Sequence, residues 1–331
     1  MTAPPYDATL LPAVDATERC AAHTERLDVD PGGTALWVDE LIVVDVPLPW
    51  PKPVWAKDGF AAVPELVMDA GERGRRVRVL AAVPLDDGIT RVVTHELRDR
   101  ARFRRTEHHP GRDSAAELVA RLLREGLDAD STTVVSREPR RELLVCTQGS
   151  HDLCCGSRGA SLVVELEESP VVRDLDVTVR RVSHTGGHRM APTGVTFPDG
   201  RMWGRVDAGE MIGILERSVA PSSVAHLSRG WLGAAAGVEQ MAERAVFAAL
   251  DDWAFDAGPR TTEVVATSGD ITVVEVTSAG GVWRVEVAAG RTVPTIACGN
   301  AGGLPAKSAT EWIVGSVRRS TMSSSYLRPS I

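Results

Sequence analysis

Three of the chain's five cysteines lie close together in the stretch "CTQGSHDLCC", residues 146–155, which we call the cysteine segment. Further along the chain, "HTGGH", residues 184–188, places two histidines four positions apart, and we call it the histidine segment. Thiolates and imidazoles are ligands that zinc and iron accept in proteins. If the two segments meet in space, they supply a four-ligand metal set.

The spacing within each segment indicates what the set would hold. Eight residues separate Cys146 from Cys155, a gap too wide for the short C-x2–4-C knuckle of a zinc finger. A wide loop suits a larger object, because two ligands that hold one end of an Fe2S2 rhomb must pass around sulfide. His184 and His188 can point to one centre, since the Gly-Gly pair between them permits a tight turn. Two cysteines on one iron and two histidines on the other is the ligand division of Rieske-type centres, although the Rieske spacing is absent.

The predicted elements around the two segments can bring them together. Residues 140–149 predict a short strand with Cys146 at its exit, and residues 156–169 predict a helix. Residues 175–188 predict a second strand that leads directly into the histidines. Strands joined through a helix end at the same edge of a sheet, so this order permits the cysteines and histidines to converge.

The whole chain predicts an α/β protein in three parts. Residues 1–135 form an N-terminal α+β region, in which residues 75–85 and 88–99 indicate two strands of a hairpin around "DDG". Residues 136–255 form the central domain, and residues 256–331 form a C-terminal β-rich segment. The sequence shows no internal repeat.

The composition limits the possible partners and the compartment. The chain has 331 residues, of which 43% are hydrophobic and 25% charged, as in soluble globular proteins of two or three domains. Its net charge of −8, without a long basic run, predicts no nucleic-acid partner and no membrane surface. No apolar stretch approaches about 18 residues, and the N-terminus lacks the pattern of a signal peptide. Five cysteines in such a chain predict reduced thiols in the cytoplasm rather than a disulfide framework.

The stretches "VCTQGSHDLCCGSRG" and "VRRVSHTGGHRMAPTGVTFPDGRMWGRV" resemble the sucrase/ferredoxin-like family over residues 140–206. The resemblance implies that the central domain is a thioredoxin-like ferredoxin domain. Carried over by position, it implies that Cys146, Cys155, His184 and His188 ligate a [2Fe-2S] cluster. The word sucrase in the family name implies nothing here, because the sequence offers no identifiable carboxylate pair for glycoside hydrolysis.

The function predicted from these features is that of a [2Fe-2S] protein that carries single electrons, with a bis-histidine iron and proton-coupled redox chemistry. No G-x-G-x-x-G motif opens a helix after a strand, so the sequence predicts no dinucleotide domain. Electrons must then come from a separate reductase. The acceptor cannot be identified from the sequence, and neither can the choice between a pure electron carrier and a component of an oxidoreductase.

Two alternatives from other classes use the same residues. The first is a zinc protein that holds its ion with the same two cysteines and two histidines. The second is a metal-free thiol oxidoreductase on a thioredoxin-like scaffold, which would use Cys146 with Cys154 or Cys155. The C-x-x-C motif of that chemistry is missing. Whether Cys154 replaces Cys155 as a metal ligand stays open at this point.

Other residues receive weaker interpretations. His151 and Asp152, within the cysteine segment, are candidates for groups that contact the ligands. Cys20 and Cys298 are far from both segments in sequence, and we interpret them as structural thiols.

Overall fold

The structure of the chain, a computed structural model, describes residues 6–129, 131–235 and 237–320. In these residues the chain forms one ten-stranded mixed sheet, one four-stranded antiparallel sheet and several helices, which confirms the α/β class. The strands of the large sheet are β1 (Glu40–Asp45), β2 (Val77–Ala82), β3 (Val92–Arg98), β4 (Arg102–His108), β5 (Val134–Ser136), β6 (Arg141–Cys146), β7 (Val177–Val182), β8 (Thr193–Phe197), β9 (Arg201–Gly204) and β10 (Ser228–Trp231).

The small sheet belongs to the C-terminal part of the chain, where the sequence predicts a β-rich segment. Its strands are β11 (Arg260–Ser268), β12 (Ile271–Ser278), β13 (Gly281–Thr295) and β14 (Lys307–Arg319). The α-helices are α1 (Cys20–Arg26), α2 (Val63–Glu72), α3 (Ala115–Glu125), α4 (Ala160–Glu168), α5 (Pro170–Asp174), α6 (Ala208–Glu216), α7 (Pro221–Val224), α8 (Gly237–Leu250) and α9 (Ala254–Ala257). Among the described helices, none has both the length and the apolar character needed to cross a bilayer.

The large sheet contains a structural repeat. Its strand order is β10-β9-β8-β6-β7-β2-β1-β3-β4-β5. In one half, β1 lies parallel to β2 and antiparallel to β3, which pairs with β4. In the other half, β6 lies parallel to β7 and antiparallel to β8, which pairs with β9. The two halves join at the antiparallel pair of Ala82 with Val182.

The hairpin predicted for residues 75–85 and 88–99 is wrong. These residues contain β2 and β3, but β1 lies between the two strands and pairs with both of them. The "DDG" stretch does form a turn. The connection between the strands is nine residues long, from 83 to 91, which is enough for the chain to pass over the end of β1. Strand β2 is parallel to β1 because the long connection between them, which contains α2, returns the chain to the same end of the sheet.

Strand β6 is buried on both faces, which explains its continuous apolar sequence. Leu143 and Val145 pack in a core cluster with Leu166 of α4. Leu144 points to the other side of the sheet and packs with Phe197 of β8. Strand β6, which carries Cys146, is therefore packed against other hydrophobic side chains on both faces of the sheet.

A buried network of four charged side chains joins the large sheet to the C-terminal part of the chain. Arg201 of β9 is fully buried and donates to both carboxylate oxygens of Glu243, at 3.0 and 2.7 Å. It also donates to Asp256, at 2.9 and 2.5 Å. Arg260, at the start of β11, contacts the same two carboxylates. Because each of the two cations contacts both carboxylates, their attraction offsets much of the free energy that burying four charges costs.

The N-terminal residues and the loop after β13 are held together by backbone hydrogen bonds. Gly299 N donates to Glu18 O at 3.0 Å, and Gly302 N donates to Ala16 O at 2.9 Å. An isolated bridge pairs Thr17 with Ala301. This contact places Cys20 beside Cys298, which is 278 positions away in the sequence.

Candidate metal centre

The cysteine and histidine segments meet at one edge of the large sheet. Strands β6 and β7 run parallel and in register, with Cys146 paired to Val182. The backbone N–H of His184 donates to Oε1 of Gln148 at 3.1 Å, which ties the start of one segment to the other. The convergence that the order of elements predicts is therefore present.

Three of the four predicted ligands form a compact set, which we call the inner group. One ligand atom from each of Cys146, Cys155 and His184 lies within 4.8 Å of the others. Both cysteines are fully buried. Nδ1 of His184 is also buried and has no hydrogen-bond partner. A buried polar atom without a partner costs about 1–3 kcal/mol, and a metal bound by this nitrogen would offset that cost.

Cys155 reaches Cys146 through an unusual turn of helix. Residues Cys155–Gly159 form a single π-helical turn before α4, a feature often found at functional sites. Gly159 lies directly against the carbonyl oxygen of Cys146, and a β-carbon at that position would overlap it. A glycine is required here because the turn approaches the end of β6 so closely.

His188 lies at the border of the inner group rather than within it. Its Nδ1 is 2.8 Å from Oδ2 of Asp152 and 3.1 Å from Sγ of Cys20. The centre of its ring is 5.8 Å from that of His184, and its side chain is 35% exposed. The preceding Gly187 has a φ of +70° and packs against the guanidinium of Arg229, so a side chain cannot replace its hydrogen.

The remaining cysteines form a second set, the outer group, with a carboxylate. One ligand atom from each of Cys20, Asp152, Cys154 and Cys298 lies within 4.8 Å of the others. Cys154 Sγ is 3.6 Å from Cys20 Sγ and 3.7 Å from Cys298 Sγ. Cys154 therefore faces the outer group, whereas its neighbour Cys155 faces the inner group.

Each group contains one thiol with a lowered pKa, accompanied by one thiol with a raised pKa in the inner group and by two, Cys20 and Cys298, in the outer group. A hydrogen bond from Cys155 lowers the pKa of Cys146 well below its usual value, against the effect of burial, and His184 lowers it further. The same hydrogen bond, together with burial, raises the pKa of Cys155. In the outer group a hydrogen bond from Cys20 lowers the pKa of Cys154 to about 6. In each group, the lowered pKa favours the thiolate, the form that binds metal, on one cysteine.

Asp152 and His151 both contact the candidate ligands. Burial raises the pKa of Asp152, but the hydrogen bond from His188, the charge of His188 and the hydrogen bonds from Cys154 together leave the pKa well below its usual value. The same carboxylate accepts from the backbone N–H of Cys154 at 2.8 Å. The ring of His151 stacks on that of His184, with centres 3.8 Å apart. Burial and the charge of His184 lower the pKa of His151 to about 4, so this ring is neutral.

An open pocket of about 590 Å³ gives access to the outer group and to His188. Cys20, Lys52, Asp152 and Cys298 are among the residues that line it. The inner group lies deeper, because Cys146 and Cys155 have no exposed surface. The two cysteines of the inner group are thus shielded from water, whereas His188 lines the pocket.

A sequence profile of the sucrase/ferredoxin-like family matches residues 38–230, more than half of the chain. The chain belongs to the sucrase/ferredoxin-like family. The matched part begins before β1, ends in β10 and includes Cys146, Cys155, His184 and His188. Cys20 and Cys298 lie outside it.

One curated relative is similar over a shorter stretch. It is "Altered inheritance of mitochondria protein 32" from Debaryomyces hansenii, 34% identical over 87 residues. The match covers 25% of this chain and 32% of the relative, so the chain spans about a third of that protein's length. No solved structure gives a significant match to the chain.

In this member of the sucrase/ferredoxin-like family, more side chains that could bind a metal lie close together than the sequence indicates. Cys146, Cys155 and His184 lie together, and His188 lies beside them. Cys20 and Cys298, interpreted from sequence as structural thiols, have their sulfur atoms 3.6 and 3.7 Å from that of Cys154, next to the inner group. No signal in the sequence reveals this, because more than 130 residues separate each of them from Cys154.

Proposed function

We propose that the protein carries single electrons on a [2Fe-2S] cluster ligated by Cys146, Cys155, His184 and His188. The observation that carries the proposal is the inner group, in which two buried cysteines face a histidine whose buried Nδ1 lacks a partner. Two thiolates and two imidazoles are the donor set of Rieske-type centres. Membership of the sucrase/ferredoxin-like family supports the same cofactor.

The position of His188 favours a cluster over a single ion. Ligands around one tetrahedral zinc ion lie about 3.3–3.8 Å apart, as follows from bond lengths of about 2.0–2.3 Å. His188 is not among the side chains whose ligand atoms lie within 4.8 Å of one another in the inner group. One ion could therefore hold only three of the four ligands as they stand. A [2Fe-2S] cluster is wider than a single ion, because its ligands are divided between two irons. It can therefore accommodate all four side chains.

Groups around the ligands fix their orientation. Asp152 accepts from Nδ1 of His188, and an ionised carboxylate can only accept, so Nδ1 carries the proton and Nε2 is available as a ligand. Arg78 donates to the backbone oxygen of His184 at 2.9 Å, and Gln148 accepts from its N–H. The cluster, when bound, supplies one-electron chemistry. The exposed histidine side is the side at which a partner can exchange electrons with it.

Proton coupling follows from the histidine ligands. Two thiolates and two neutral imidazoles leave an oxidised cluster near zero charge, which places the potential roughly between −150 and +300 mV. The non-ligating nitrogens of His184 and His188 can hold or release a proton, and a more reduced iron favours the protonated form. We propose that electron uptake is coupled to proton uptake, so that the potential falls as the pH rises.

The proposed setting is a reducing compartment, the cytoplasm, with a separate reductase as electron donor. All five cysteines are free thiols, and the sequence has no dinucleotide-binding motif. The acceptor stays unassigned. The net charge of −8 argues against nucleic acid and membrane partners.

We also propose that the half of the sheet with β6, β7, β8 and β9 is a thioredoxin-like domain. A parallel strand–helix–strand unit followed by an antiparallel hairpin, in the order β7-β6-β8-β9, supports this proposal. A thiol oxidoreductase on this scaffold is less well supported. Cys146 and Cys155 are fully buried, so an external disulfide cannot reach them.

Metal analysis tests the proposed function. Protein purified without oxygen should contain iron and acid-labile sulfide in equal amounts, two of each per chain, and should be coloured. Dithionite should bleach its visible absorption. A colourless protein that holds zinc at Cys146 and Cys155, without iron or sulfide, would establish the zinc alternative instead.

A further inference from the structure

We propose that the outer group is a second metal site, in which Cys20, Cys154, Cys298 and Asp152 hold a structural zinc ion. The site goes beyond the proposed electron carrier. None of its four ligands is used by the inner group, and two of them lie outside the part of the chain that matches the family.

The distances match a tetrahedral zinc centre. Bonds of about 2.3 Å from zinc to sulfur give tetrahedral sulfur–sulfur edges of about 3.8 Å. Cys154 Sγ lies 3.6 Å from Cys20 Sγ and 3.7 Å from Cys298 Sγ. With a zinc–oxygen bond of about 2.1 Å, the sulfur–oxygen edge is about 3.6 Å. Asp152 Oδ2 lies 3.7 Å from Cys20 Sγ.

The ligands are positioned by contacts that a metal would not disturb. The backbone N–H of Cys20 points to Cys298 Sγ at 3.4 Å, and that of Cys154 donates to Asp152 Oδ1 at 2.8 Å. Cys20 and Cys154 are 2% and 4% exposed. Cys298 is partly exposed at the wall of the pocket, which provides a path for the ion to enter.

The surroundings suit a site of negative charge. Three thiolates and a carboxylate around zinc leave a net charge of about −2. Arg158 and Arg189 lie within electrostatic range of Cys20 and offset part of this charge. Nε of Arg189 is buried and has no hydrogen-bond partner. An anionic centre beside Arg189 explains why an unpaired guanidinium nitrogen is tolerated there.

A disulfide explains the outer group less well. The sulfur atoms are 3.6 and 3.7 Å apart, whereas a disulfide bond is about 2.05 Å long. Three thiols and a carboxylate also leave one thiol unpaired in any disulfide. A closed set of four ligands is typical of structural zinc. Such an ion would join the start of α1, the cysteine segment and the loop after β13, and would hold Asp152 beside His188.

The test counts zinc and iron separately in the full chain. Wild-type protein purified without oxygen should contain one zinc per chain in addition to its iron. Zinc-edge X-ray absorption should show a first shell of three sulfurs at about 2.3 Å and one oxygen at about 2.0–2.2 Å. Cys298→Ala should lose the zinc and keep the iron and the visible absorption. Cys155→Ser is the converse control and should lose the visible absorption but keep the zinc.

Several outcomes would overturn the second site. They are wild-type protein without zinc, a zinc shell with nitrogen ligands or fewer than three sulfurs, and a Cys298→Ala variant that keeps its zinc or loses iron instead. A thiol count two below expectation in zinc-free wild type would establish a disulfide. Because the absorption measurement uses wild-type protein, a variant that fails to fold leaves the test intact. Absence of iron and sulfide would instead reject the electron-carrier proposal alone.

Discussion

His188 Nδ1 and Asp152 Oδ2 are 2.8 Å apart, and this hydrogen bond joins the outer group to the histidine at the border of the inner group. The ring centre of His188 lies 5.8 Å from that of His184 in the inner group, while Asp152 belongs to the outer group. Because the carboxylate can only accept, it fixes which nitrogen of the ring carries the proton. One carboxylate therefore orients a ligand of the proposed cluster and takes part in the proposed zinc site.

The first prediction concerns Asp152→Asn. Removing the negative charge weakens the hydrogen bond that orients the His188 ring. Loss of such a hydrogen bond to a metal ligand typically lowers metal affinity about 10–100-fold. We expect visible absorption to decay faster in the variant than in wild type when a chelator is added. Asp58→Asn, at an exposed carboxylate away from the site, is the control. Equal decay rates for wild type and Asp152→Asn would show that the contact does not support the ligand.

The second prediction separates two neighbouring cysteines. Cys155 faces Cys146, whereas Cys154 faces Cys20 and Cys298. Cys155→Ser should abolish the visible absorption of the cluster, and Cys154→Ser should leave it nearly intact. Absorption spectra of the two variants, purified side by side, decide the point. The opposite pattern would show that Cys154 is the iron ligand.

The third prediction uses a glycine at the turn before α4. Gly159→Ala would push a methyl group into the carbonyl of Cys146 and move Cys155 away from it. We expect a lower iron content per chain and a lower melting temperature. Gly71→Ala in α2 is a matched control, because a β-carbon there has no neighbour within 4 Å. That change should stabilise the helix by about 0.5–1 kcal/mol and leave the iron content unchanged.

The sequence predicts the inner site better than the surrounding fold. Cys146 and His184 follow successive strands joined by a helix, so a local rule of chain topology brings them together. The hairpin at "DDG" is wrong because β1, more than thirty residues earlier, comes between its two strands. A turn motif reflects only the conformation of a few neighbouring residues. It cannot show that a strand distant in sequence lies between the two strands that the turn connects.

The structural repeat and the outer group could not be predicted for different reasons. Asp45 and Cys146 end the equivalent strands β1 and β6, yet they share no chemistry, so the repeat leaves no trace in residue types. Cys20 and Cys298 meet only through backbone contacts between the N-terminal residues and the loop after β13. Contacts between residues so far apart in the sequence depend on the fold of the whole chain, and no local sequence pattern predicts them.

The fourth prediction concerns acid stability and Glu107. Burial raises the pKa of this carboxyl, but hydrogen bonds from His109 and Arg105 outweigh it and lower the pKa to about 2. Arg91 also faces it, with Nε 3.2 Å from Oε1. A lowered pKa in the folded state adds stability above the ordinary value of about 4.3, and this stability is lost as the pH falls towards 2.

Glu107→Gln should therefore flatten the dependence of the free energy of unfolding on pH in that acid window. Urea unfolding of wild type and variant, repeated at several pH values, measures it. Glu65→Gln, at an exposed carboxylate of α2, is the control and should not change the slope. A slope for Glu107→Gln equal to that of wild type would mean that this carboxyl titrates alike in the folded and unfolded chain.

The central claim is that two cysteines and two histidines hold a [2Fe-2S] cluster. Pulsed electron paramagnetic resonance on the dithionite-reduced protein tests it most directly, because a nitrogen bound to iron produces a hyperfine coupling that a sulfur ligand does not. We expect couplings from two nitrogen ligands in wild type, and from one in His188→Cys. A wild-type spectrum without strong nitrogen coupling, or a reduced protein without a cluster signal, would contradict the claim.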